Sequence, residues 1–152
     1  MQRYFSLILF IVLVLGSGLA VGVLTQPGDW YAGLAKPDFN PPGWIFGPVW
    51  SALYILIAIA GWRSWQRDRR EWPMRIWWAQ LAANFLWSPI FFSAHQVGLA
   101  LVDILFLLLF ILAYIVLTWR LDRVSSLLFL PYAAWVAFAS LLNASILVLN
   151  AH

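Results

Sequence analysis

Cysteine is absent from this sequence, which removes disulfides, thiolate metal sites and cysteine nucleophiles from consideration. Charge is nearly as scarce. Only 10% of the 152 residues are Asp, Glu, Lys or Arg, against about 25% in an average soluble domain. Histidine occurs only as His95 and His152, so a two-ligand metal or haem site within the chain would need both, and neither has the usual supporting acids. His95 reads as a solvated loop residue, with axial ligation as its alternative. No serine has a base placed beside it in the apolar segments, which excludes a catalytic triad. Nucleic-acid binding has no support beyond a pI of ≈ 9.7. Internal repeats and low-complexity tracts are missing too, and without paired broken helices the inverted-repeat transporter architecture has no support.

What is present is apolar. With 64% hydrophobic residues the chain has too little polar surface to cover a water-soluble globule, and the bilayer is its natural solvent. Five apolar runs stand out: Phe5–Leu24, Trp44–Trp62, Pro73–Phe92, Gly98–Thr118 and Leu127–Leu149. Each is about 20 residues long, the length a helix needs to cross a hydrocarbon core of about 30 Å. Backbone groups in lipid must be satisfied within the segment, so helices are expected. The alternating ten-residue segments of a β-barrel are not seen. The expectation is an all-α membrane protein, a bundle of five transmembrane helices forming one domain over residues 1–152.

The loops suggest an orientation. Arg3, Arg63, Arg67, Arg69, Arg70, Arg75, Arg120 and Arg123 fall on one side of a five-span topology, and only Lys36 falls on the other. In a bacterial inner membrane this bias puts the N-terminus and the Arg-rich second loop in the cytoplasm. Trp62, Trp65, Trp72 and Trp119 lie near the basic side, and Trp30 and Trp44 near the other, as interfacial belts. The first run has a rival reading as a signal peptide cleaved after Gly18-Leu19-Ala20, but its apolar stretch continues to Leu24, long for a signal core.

Two features go beyond topology. The first loop, Thr25 to Gly43, is stiffened by Pro27, Pro37, Pro41 and Pro42. Asp29 is placed to cap a short helical turn carrying Trp30, Tyr31 and Leu34, which reads either as a lid over the bundle or as a rigid connector. The second feature is a set of polar and aromatic residues at helical spacing: Phe46, Trp50, Leu53, Tyr54 and Ile57; Gln80, Asn84, Trp87 and Phe91; Tyr132, Trp135, Ala139 and Asn143. These faces should point inward, because amides and indole N–H groups in lipid need partners. They read either as interhelical glue, which the residues alone favour, or as the wall of a pocket for a flat aromatic ligand. Asp103 is the one charge in a run interior, and its place near a helix N-terminus favours a structural role over a proton relay, since no second ionisable group continues a chain. Ala79/Ala83 and Gly18/Gly22 are small-xxx-small pairs suited to close helix contact.

Several blocks in register resemble a known family: Trp30-Tyr31, Leu34-Ala35-Lys36-Pro37, Phe39, Pro41-Pro42-Gly43-Trp44, Pro48-Val49-Trp50 with Leu53-Tyr54, Gln80 to Phe92, Gly98 to Asp103, and Pro131 to Asn143. They resemble the translocator protein family, whose bacterial members are the tryptophan-rich sensory proteins (TspO) and whose animal members are the peripheral-type benzodiazepine receptors. The resemblance implies five membrane helices and a homodimer, paired here through the Ala79/Ala83 face. It implies binding of porphyrins such as protoporphyrin IX, with no obligatory cofactor and no metal. The ligand would sit under a lid containing Trp30, Leu34 and Pro37, against walls formed by Trp50, Asn84, Trp87, Trp135, Ala139 and Leu142. A tetrapyrrole sensor or transporter is the leading expectation. The alternatives are a light-dependent porphyrin-degrading enzyme using Trp50 and Trp135, and a regulatory membrane partner with no small ligand. Two departures narrow the resemblance. Leu99 stands where many animal members have a tryptophan, implying one ligand-facing indole fewer. The Leu142–His152 stretch also lacks the tyrosine and basic residue of the animal cholesterol motif.

Overall fold

The computed structural model describes residues 1–151. His152 lies outside the described residues, and with it the second histidine of any paired site. Six α-helices follow one another: α1 Gln2–Leu24, α2 Asp29–Ala32, α3 Phe46–Asp68, α4 Trp72–Ser88, α5 Val97–Thr118 and α6 Arg123–Leu149. A 3-10 turn, Gly43–Ile45, leads into α3, and a π-helical turn, Pro89–Ser93, prolongs α4. Among the described residues there is no strand.

Four elements are long and apolar enough to cross a bilayer: α1, α3 with its leading turn, α5 and α6. The expected run at Pro73–Phe92 is built differently. As an α-helix α4 has 17 residues, about 26 Å at 1.5 Å per residue, short of a core of about 30 Å. The chain then continues through the π turn, whose cause is local: Pro89 has no N–H to give to the preceding turn. The hydrogen-bond register widens, with Ala94 N donating to Pro89 O at 2.9 Å and Gln96 N to Ile90 O at 3.0 Å. At the basic end the helices outrun their apolar segments. α3 continues from Trp62 to Asp68, and α6 starts at Arg123 rather than Leu127, because arginine, glutamine and serine extend a helix once it has left the hydrocarbon.

α3, α6, α5 and α4 form a closed ring in which each packs on the next, and α1 lies outside it against α3 and α4. Two glycines permit the closest approaches. A Cβ at Gly61 would overlap the Trp77 indole, and one at Gly18 would overlap the Tyr54 ring. Gly18 thus serves packing within the protomer. Trp77 is wholly buried, and its Nε1 donates to Ile57 O at 2.9 Å, joining α4 to α3.

The α4 surface corrects one expectation. Ala83 is only 6% exposed and belongs to the protomer's core, so Ala79 and Ala83 do not form an outward face. The positions α4 turns outward are Arg75, Trp78, Ala82 and Leu86, spaced three and four apart.

Candidate functional site

The inward faces of α3, α4 and α6 meet as their spacing predicts. In mid-bundle they form a polar network. The Tyr132 hydroxyl donates to Gln80 Oε1 at 2.8 Å and accepts from Asn84 Nδ2 at 2.6 Å, while the Tyr54 hydroxyl lies 3.4 Å from Asn84 Oδ1. Nearer the first loop, Trp87 Nε1 donates to Asn143 Oδ1 at 2.9 Å, and Asn143 Nδ2 to Val97 O at 3.0 Å. These amides therefore do join helices, as the glue reading requires.

Above this network the bundle is not filled. A cavity of ≈ 460 Å³ lies between α1, α3, α4, α5 and α6 beneath the first loop, and its lining is mostly apolar. Trp50, Trp87 and Trp135 each present an indole to it, and Asn84, Ala139 and Leu142 complete the walls expected from the sequence. Its volume falls in the range typical of small-molecule sites, about 300–1,000 Å³.

Two buried polar atoms at the cavity have no protein partner: Trp135 Nε1, a donor, and Asn40 Oδ1, an acceptor. Trp135 is held edge-to-face by Phe46, at 5.7 Å between centroids, and packs on Phe138 at a 47° tilt, also at 5.7 Å. Its N–H thus has a defined position without a defined acceptor. Trp50 packs on Tyr54 at 5.6 Å, and Trp87 on Phe91 at 5.1 Å. The π turn carries Phe91 and Phe92 to the same cavity.

The three expected lid residues do not line the cavity. The short turn forms as α2, but Gly28 is its N-cap and Asp29 its first helical residue, with no side-chain cap bond. Trp30 lies behind, stacked on His95 at 4.0 Å and 12°, with Phe91 at 5.9 Å. Leu34 follows the end of α2 and packs in the same satellite cluster as Trp30. Pro37 turns the chain, its carbonyl accepting from Asn40 N at 3.0 Å. Tyr31, Asn40 and Pro41 line the cavity instead. Burial raises the Tyr31 phenol above its ordinary pKa, opposed by a hydrogen bond from the Asn40 side chain.

The loop is tied down at several points. Ala35 and Asn150 exchange two hydrogen bonds, Ala35 N to Oδ1 at 3.0 Å and Nδ2 to Ala35 O at 2.9 Å. Lys36 Nζ donates to Tyr31 O at 2.7 Å and Leu34 O at 3.1 Å and sits over the Tyr31 ring, so this ammonium holds the loop's own turn together. His95, exposed at the α4–α5 reversal, has a φ of 56°, a left-handed conformation uncommon outside glycine. Leu99 is exposed and away from the cavity, and Asp103 lies off it with Oδ2 buried and unpartnered. Asp103 is the seventh residue of α5, beyond the first turn where a helix dipole acts strongly, which weakens the dipole account of its placement. Among the described residues no cluster of three His, Asp or Glu is placed to hold a metal.

The model of the TspO/MBR family matches residues 10–149. The chain belongs to that family. Tryptophan-rich protein TspO of Archaeoglobus fulgidus is 40% identical over 152 residues, 96% of this chain and 97% of the relative. Protein CrtK of Rhodobacter capsulatus is 38% identical over 135 residues, 86% and 84% of the two chains. Human translocator protein is 39% identical over 119 residues, 75% and 70%. As a TspO/MBR member with four apolar helices of spanning length, the chain is an integral membrane protein.

The cavity residues that sequence reasoning missed come mostly from α1 and the loop. Gly18 and Gly22 line the cavity from α1 and Thr25 from the residue that caps it, where Ser88 shares a hydrogen bond with Thr25 at 2.5 Å. Gly18 and Gly22 carried a legible signal as a small-residue pair. Asn40 carried none, because a single amide among loop prolines has no period to place it.

Proposed function

We propose that this TspO/MBR protein binds a tetrapyrrole of the protoporphyrin IX type in the cavity under its first loop, as a sensor or transporter. The observation that carries this reading is the cavity wall: three indoles around an apolar space, one of them with a buried N–H that no protein group accepts. Indole faces suit a broad apolar disc, with centroids about 4.5–7 Å apart. The unpaired Trp135 N–H supplies one directional contact, and a buried unsatisfied donor loses about 1–3 kcal/mol that a ligand acceptor would return. Lys36 is engaged by its own loop, so the ligand's carboxylates would reach water at the loop end rather than a cationic clamp.

The proposal includes a fifth membrane span, made of α4 with its π turn from Trp72 to Ser93, in one domain spanning the chain. It also includes the basic end facing a bacterial cytoplasm. A homodimer along α4 would use the outward Trp78, Ala82 and Leu86, with Ala79 at the edge. A second reading, light-driven degradation of the bound pigment, is favoured by Trp50 and Trp135 both standing in the wall where a photosensitiser would lie.

The test is quenching of tryptophan fluorescence by protoporphyrin IX on detergent-solubilised protein, first in the dark. Saturable quenching is expected, with Trp135→Phe weakening affinity by about fivefold or more through loss of one hydrogen bond. Absence of saturable quenching would overturn the porphyrin reading and favour a regulatory partner without a small ligand. Under light, pigment loss that is equal in the parent and in a Trp50→Phe, Trp135→Phe double variant would remove the enzymatic reading.

A further inference from the structure

At the opposite end of the bundle a second cleft, of ≈ 250 Å³, is walled by the start of α1, the last turns of α3 and the α5–α6 loop. Its polar walls are Arg3, Arg63, Gln66, Arg67 and Asp122, and Trp62 and Leu121 supply its apolar ones. Not all of these charges are available. Arg63 makes a two-pronged ion pair with Asp122, at 2.9 and 2.8 Å, and Ser125 adds a third bond to the carboxylate at 2.6 Å. Those contacts, the Arg63 hydrogen bonds foremost, hold the Asp122 carboxyl below its ordinary pKa. The one acid in the cleft is therefore neutralised by its own partner and does not repel an anion outright. Arg67 donates to Leu121 O at 3.0 Å and lies 3.5 Å from Glu71, which leaves part of its fork of donors unused. Arg3 makes no ion pair among the described residues. Its guanidinium lies over the Trp62 ring at 5.4 Å, and Trp62 is itself held by Ser6 at 3.0 Å.

The depth of this cleft follows from its neighbours. Four arginines at this end sit over four tryptophans: Arg3 on Trp62, Arg69 on Trp65, Arg75 on Trp72 and Arg123 on Trp119, at 4.7 to 5.4 Å. Such pairs suit the headgroup level, where an indole meets hydrocarbon on one side and a charge on the other. Tyr4 and Phe5, which follow Arg3 in α1, expose their rings, and Leu121 of the cleft wall is itself exposed. A small polar anion in water would gain nothing from that rim, whereas an amphiphile with chains would.

We propose that this cleft is a binding site for the phosphodiester headgroup of an anionic phospholipid. Arg3 and Arg67 contact the phosphate, Gln66 the headgroup alcohol, and the acyl chains lie along the exposed flank of α1. The site is independent of the cavity under the first loop, and its occupancy does not depend on what that cavity holds.

Native mass spectrometry of the full chain in a neutral detergent tests this directly, with dioleoyl phosphatidylglycerol and dioleoyl phosphatidylcholine titrated separately. The expected result is one retained phosphatidylglycerol in preference to phosphatidylcholine. That preference should fall about fivefold for each arginine removed in Arg3→Gln and Arg67→Gln, and stay unchanged in Arg120→Gln, an exposed arginine at the same end but off the cleft. Arg3→Gln breaks no hydrogen bond of the fold, so it reads the site even if Arg67→Gln disturbs the loop. Equal retention of the two lipids would overturn the proposal in favour of binding through the acyl chains alone, and an equal loss in Arg120→Gln would overturn it in favour of diffuse charge attraction. Displacement of the lipid by millimolar inorganic phosphate would overturn the lipid assignment in favour of a free-anion site.

Discussion

The two ends of this bundle are built on opposite principles. At the basic end every buried side-chain polar atom described has a partner. Tyr114 shares a 2.6 Å bond with Ser64 and donates to Ala60 O, Thr118 and Ser126 bond each other, and Arg63 closes on Asp122. At the first-loop end and in mid-bundle lie all the unpartnered ones: Asn40 Oδ1, Trp135 Nε1, Asp103 Oδ2 and Gln80 Nε2. The larger cavity is at that end as well. A buried polar group without a partner is costly, and an apolar void forfeits dispersion contacts. The basic end thus meets its buried polar groups within the fold, whereas the first-loop end and mid-bundle keep unfilled space and unmet hydrogen bonds.

Glycines break the comparison most sharply. Gly61, toward the packed end, faces the Trp77 indole, whereas Gly22, on the cavity, has open space where a Cβ would go. Gly61→Ala should lower stability by about 1–3 kcal/mol, because a methyl must displace a buried indole. Gly22→Ala should leave stability within about 0.5 kcal/mol of the parent. Thermal unfolding in one detergent measures both, and equal losses would erase the distinction.

The lid gives an intermediate effect. Asn150→Ala removes both bonds to Ala35, and hydrogen exchange of the amides from 29 to 43 should quicken about tenfold, a local change of about 1.4 kcal/mol. Unchanged exchange would mean that the Trp30–His95 stack and the Tyr31 packing suffice to hold the loop.

The smallest effect is expected at the basic end's ion pair, which is partly exposed, with 34% and 19% of the two side chains accessible. Asp122→Asn should cost no more than about 1 kcal/mol near neutral pH. Its pH dependence has a definite sign. The folded carboxyl is depressed below its ordinary value of 3.8, so the pair's contribution is fully present above that value and fades as the pH falls through the folded pKa. The melting difference between parent and variant should therefore narrow below pH 4, and a difference that widened there would contradict the ion-pair account.

The sequence by itself determined the all-helical class, the four long apolar helices, the basic end and the inward faces. Apolar runs of about 20 residues have one solution in lipid, and amides and indoles at helical spacing must turn away from acyl chains. It was thus enough to bring Trp50, Asn84, Trp87, Trp135, Ala139 and Leu142 to one cavity. The tertiary structure decided what no period encodes. Glue or pocket was a choice only packing could make, and packing made both: Gln80 and Asn84 were taken for the network, while the Trp135 N–H was left over. The loop was decided the same way. Trp30, Leu34 and Pro37 went behind it and Tyr31 and Asn40 went in front, because a non-repeating segment has no face until its contacts with Phe91, His95 and Asn150 give it one. Ala83 turned inward for a related reason: small residues favour any close helix contact, and the sequence does not say whether the neighbour is in the same chain.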